Sequence, residues 1–117
     1  MLHLDDAVSS KVNAMVGRGA PRDFIDVAAA IGHGFSRAEL MRLTFTRDPG
    51  LRVVDFTHAM RQLDQFGLEE FADYGLDSTA MSELRQRFAD WPRHEEDDQE
   101  GQAVRAAVAD EERRTRP

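Results

Sequence analysis

Glycine and proline interrupt this chain at short intervals. Between the interruptions no stretch alternates apolar and polar residues as a half-buried strand requires. What recurs instead is the three- and four-residue spacing of amphipathic helices. Leu4, Val8, Val12, Met15 and Val16 make one apolar face, with Asp5 and Asp6 at its acidic start and Gly17-Arg-Gly-Ala as its stop. Pro21 suits the first turn of a second helix, whose stripe is Phe24, Val27, Ala28 and Ile31 and whose end is Gly32-His33-Gly34. Ser36 with Glu39 reads as a capping box for a third helix, burying Leu40, Leu43, Met41 and Phe45 and ending near Asp48-Pro-Gly.

A fourth helix is expected from Val53 to Gln65, with Phe56, Met60 and Leu63 on one side, Val53 and Ala59 beside them, and Gly67 beyond its end. The pattern loosens from Leu68 to Gly75, where Phe71 and Tyr74 are expected to fold back onto the core. Asp77-Ser78-Thr79 opens a fifth helix carrying Met81, Leu84 and Phe88, and Trp91-Pro92 closes it, with Trp91 at the edge of the core. The expectation is all-α: a compact bundle of about five short helices over residues 1–92. Residues 93–117 differ in composition. They hold eight acids and five arginines, and their apolar residues (Ala103, Val104, Ala106, Ala107, Val108, Ala109) are small. That is too little apolar surface to offset chain entropy unaided, so a mobile polar tail is expected, disordered or loosely helical around residues 102–113.

Several function classes drop out early. The chain has 117 residues and no cysteine, so disulfides, thiolate metal sites and cysteine nucleophiles are excluded. A net charge of −7 opposes a stand-alone nucleic-acid binder, though it permits one locally basic pocket. No apolar run is long enough for a membrane span, and the first residues do not form a secretory signal, so a cytoplasmic protein is expected. His3, His33, His58 and His94 are scattered without metal-ligand spacing, and no metal site is expected.

One stretch concentrates chemistry. Lys11 to Asp26 contains the sole lysine, the glycine-flanked Arg18, and a helix start bearing Arg22, Asp23 and Asp26. Asp23 and Asp26 lie three apart and share a helix face, while Arg22 and Asp26 lie four apart and can pair. Two readings fit. In one, Lys11, Arg18 and Arg22 handle phosphate; in the other, the charges cap and solvate a helix.

The run Lys11, Ala14-Met15-Val16, Arg18 and Pro21-Arg22-Asp23-Phe24-Ile25-Asp26-Val27 resembles the later motifs of the AbiEii/AbiGii-type nucleotidyltransferase toxins. Phe71-Ala-Asp-Tyr-Gly-Leu and Leu84-Arg-Gln-Arg-Phe-Ala-Asp-Trp also look like that family's C-terminal helices, so the likeness spans roughly residues 2–92. It implies an enzyme of polymerase-β type that transfers a nucleotide from a nucleoside triphosphate to an acceptor, tRNA in several relatives. An N-terminal palm would carry Gly-Ser followed by two acids in an Asp-x-Asp pattern that bind Mg²⁺. Lys11 would stabilise triphosphate charge, and Asp23 and Asp26 would orient or support it.

This chain lacks Gly-Ser followed by Asp-x-Asp, and Gly75-Leu76-Asp77-Ser78 does not replace it. Its opening residues look like the junction just after a palm. The expectation is therefore accessory residues without a catalytic centre, with no nucleotidyl transfer and no cofactor in this chain itself. Three origins stay open: the helical part of a truncated, split or late-started nucleotidyltransferase; a free-standing helical interaction module; or an unrelated helical domain. The first implies a separately encoded palm or cognate antitoxin as partner, and an RNA acceptor only for the complete enzyme. A missing palm would leave Phe24, Val27 or their neighbours uncovered, favouring homo-oligomers through that apolar face.

Overall fold

Local signals at helix ends account for most of the element boundaries. The computed structural model describes residues 4–115, and all regular structure there is helical. Helix α1 is Leu4–Gly17, α2 is Pro21–Gly32, α3 is Arg37–Arg47 and α4 is Val53–Gln65. A short α5, Leu68–Ala72, precedes α6, Ser78–Arg87; one 3-10 turn, Glu95–Asp97, leads into α7, Gln99–Thr115. Gly19 takes φ +64°, the left-handed conformation that only glycine adopts freely, and so lets the chain reverse between α1 and α2. Ser36 and Glu39 form the expected reciprocal box: the Glu39 N–H donates to Ser36 Oγ, and the Ser36 N–H donates to Glu39 Oε1. Asp77 caps α6 by accepting the Ala80 N–H at 2.8 Å.

The all-α expectation is correct, and the helical stripes meet in one core. Val12, Met15, Phe24, Val27, Leu40, Met41, Phe45, Met60, Leu63, Phe71 and Phe88 are completely buried. Helix α1 packs on α2, α3 and α4, while α2 also packs on α6. Phe24 sits edge-on to Phe66 and to Phe88, with ring centres 5.9 and 6.1 Å apart, and Trp91 extends the row at 5.0 Å from Phe88.

Several details depart from the expectations, among them Leu43, which is only partly buried on α3. Leu4 is 67% exposed, so the buried stripe of α1 begins at Val8. Phe71 joins the core but Tyr74 is 48% exposed, because Gly75 at φ +79° turns the chain away after α5. Phe24 and Val27 are covered by the domain's own helices, while their apolar neighbours Ile25 and Ile31 are only partly buried. Finally, residues 99–115 form a regular helix laid along α3, rather than a loose tail. Its attachments are polar and far apart in sequence, which periodicity does not register. No helix among the described residues is long and apolar enough to cross a membrane.

Candidate functional site

The Gly19 turn brings the end of α1 beside the start of α2, and with it every charged residue singled out in the sequence. Lys11 Nζ lies 3.6 Å from Asp26 Oδ2, and Arg22 Nε lies 4.0 Å from the same oxygen. Asp26 thus sits between two cations. Both cations are largely in water, so each pair is worth at most about 1 kcal/mol.

Asp23 is differently placed. Arg18 donates from Nε and Nη2 to its two carboxylate oxygens, at 3.0 and 2.5 Å, in a fork-on-fork geometry. Asp23 Oδ2 also accepts the Ala20 N–H at 2.9 Å. Ala20 has no hydroxyl to cap α2, so Asp23 provides the side-chain cap at this helix start. Its carboxylate is 2% exposed and fully engaged. The Arg18 hydrogen bonds hold Asp23 below the usual carboxylate range against the opposing effect of burial, with the Ala20 N–H helping. Arg18 is correspondingly held above the ordinary arginine value, first by its hydrogen bond to Asp23.

The structure therefore divides the two acids. Asp26 meets Lys11; Asp23 does not, and is committed to Arg18 and the helix end. Neither fits a divalent cation, since a metal would have to displace guanidinium or ammonium partners from both carboxylates. No trio of acids and histidines among the described residues is placed to hold a metal ion. His58 is exposed in mid-helix.

What the surface offers is cationic. The side chains of Lys11, Arg18 and Arg22 are 47, 66 and 71% exposed, against the two carboxylates of Asp23 and Asp26. Lys11 also borders a shallow groove with Asp6, Ser10 and Arg47, whose guanidinium is anchored on the Asp6 carbonyl at 2.8 Å. Such a face can neutralise and position an anion such as a phosphate.

Two contributors escaped the sequence reading. Gln62, from α4, donates through Nε2 to the Gly19 carbonyl at 2.7 Å and pins the turn that joins the two helices. Arg47, from α3, enters the Lys11 groove. Each lies far from the charged stretch in sequence, and only its long side chain hints at such a reach.

No protein-family model matches this chain, and no curated protein or solved structure does so either. The family expectation thus rests on the quoted residues alone.

Proposed function

We propose that the α1–α2 face is an accessory phosphate-contacting surface, of the kind that serves a nucleotidyltransferase whose metal-binding acids lie outside this chain. The observation that supports this reading is the meeting of the exposed Lys11 and Arg22 at Asp26, with exposed Arg18 held by Asp23 one turn earlier on the same helix. The resemblance at Lys11 to Val27 supports it independently of the geometry. On this reading the ligand is the polyphosphate of a nucleoside triphosphate, the setting is cytoplasmic, and the chemistry requires a palm. RNA enters only as that enzyme's acceptor.

Two measurements test it. Purified chain incubated with Mg²⁺, labelled nucleoside triphosphate and RNA transfers no label; robust labelling would overturn the accessory role. Calorimetry with nucleoside triphosphate detects weak binding, reduced about tenfold in Lys11→Ala/Arg22→Ala, equivalent to about 1.4 kcal/mol. Absence of binding, or equal binding by the variant, would reject the phosphate surface.

A second reading, a self-contained helical interaction module, is favoured by the closed core around Phe24 and Val27. It expects cooperative unfolding and no triphosphate binding. Non-cooperative melting would count against it.

A further inference from the structure

Helix α7 is attached with little apolar burial for its length. Helix α4 buries six of its 13 residues, whereas α7 buries Gly101 and Val108 out of 17. Its attachments are polar clasps. The Asp98 side chain is completely buried and pairs with Arg37, which is 11% exposed and stacked over Trp91 at 5.4 Å from the ring centre. Arg37 also reaches Glu100 at 3.0 Å. At the next turns, Arg105 lies over the Phe45 ring at 5.4 Å and donates to the Leu51 and Pro49 carbonyls.

The first clasp depends on a glycine. Asp98 Oδ1 accepts the Gly101 N–H at 2.8 Å, folding the carboxylate over the Gly101 Cα. A Cβ added there would stand 2.5 to 2.7 Å from the carboxylate atoms, closer than non-bonded atoms allow. Glycine costs a helix about 1 kcal/mol relative to alanine. At position 101 its presence therefore weakens the helix while permitting the anchor.

We propose that α7 is a releasable strap, locked by the Arg37–Asp98–Gly101 clasp. On release it would uncover the Phe45 side of α3 and free Arg37 without unfolding the rest of the domain. Little apolar burial and a polar anchor place α7 among the elements that open at low free energy, below that of the core. The inference concerns α3 and α7 and is independent of the α1–α2 reading.

Gly101→Ala separates docking from helix formation, because it raises intrinsic helix propensity while displacing Asp98. Native-state hydrogen exchange on the full chain is the test. In the native sequence, α7 amides at residues 102–113 exchange at least about tenfold faster than those of α4, the mark of local opening. In Gly101→Ala, and again in Asp98→Asn, α7 exchange accelerates by a further factor of about ten, with α4 protection unchanged. Exchange of α7 and α4 at one common rate would overturn the proposal. So would faster α7 exchange that both substitutions leave unaltered, since that is fraying, or an equal loss of protection in α4.

Discussion

Two arginine–aspartate pairs of this domain are opposite in use: Arg18 grips both oxygens of Asp23, whereas Arg37 meets Asp98 through a single short contact. The first spans five residues, caps its own helix and leaves the guanidinium 66% exposed. The second spans 61 residues, joins two helices and is almost wholly withdrawn from water. A local pair with an exposed cation sets up one helix end and leaves charge available to a ligand. A distant, buried pair has no charge to offer; it holds elements together, and losing either partner strands the other.

The largest expected effect follows from that contrast. Arg37→Ala leaves Asp98 buried without its cation, a change that costs about 3–5 kcal/mol in buried pairs. Burial of Val108 and Gly101 is too small to resist it, so α7 should leave α3 and let Asp98 return to water. Loss of exchange protection across residues 102–113 reports this. An α7 that stays protected would place its docking energy elsewhere, and the contrast would fail.

The corresponding change on the other side is smaller. Asp23→Ala removes the α2 cap and should lower stability by about 1 kcal/mol in urea unfolding, since Arg18 can be solvated where it stands. Acid sharpens the point. Arg18 lowers the folded-state value of Asp23, and Arg93 does the same for Asp64, 2.9 Å from it. A depressed carboxylate contributes stability that is fully present above its unfolded value and is lost as pH falls through its folded one. Unfolding midpoints should therefore fall on acidification below the ordinary aspartate value of 3.8. The double variant Asp23→Asn/Asp64→Asn should start less stable at neutral pH and lose less on acidification. An equally steep acid loss in the variant would assign it to other groups.

How much of this was legible in advance depends on sequence distance. The helices from Pro21 to Gln65 follow from Pro21, the Ser36–Glu39 box, Asp48-Pro-Gly and apolar spacing, all of which act within a turn or two. Asp26 beside Arg22 is equally local. The role of Asp23 was harder, because an acid at a helix start serves cap and ligand alike, and only the Arg18 and Ala20 contacts decide between them. Helix α7 lay furthest from reach. Its composition supports a helix over residues 102–113, but docking comes from Arg37 and Arg105, whose partners are 61 and 54 residues away. Periodicity counts apolar residues and does not see an arginine that spans two helices. Tyr74 shows the converse: an aromatic residue near a buried one, turned outward by the chain reversal at Gly75.

The smallest effect on stability belongs to Lys11→Ala, below about 1 kcal/mol, because its pair with Asp26 is exposed. Its effect on ligand binding should be the opposite in scale. Backbone amide NMR of the full chain, titrated with inorganic tripolyphosphate and repeated with Lys11→Ala, tests this most directly. The expected result is a set of shifts confined to residues near Lys11, Arg18 and Arg22, lost in the variant, with Arg37, Trp91 and Glu100 unmoved. No shift at the α1–α2 face, or shifts centred on Arg37, would contradict the assignment of phosphate contact to the first pair's neighbourhood and of structure to the second.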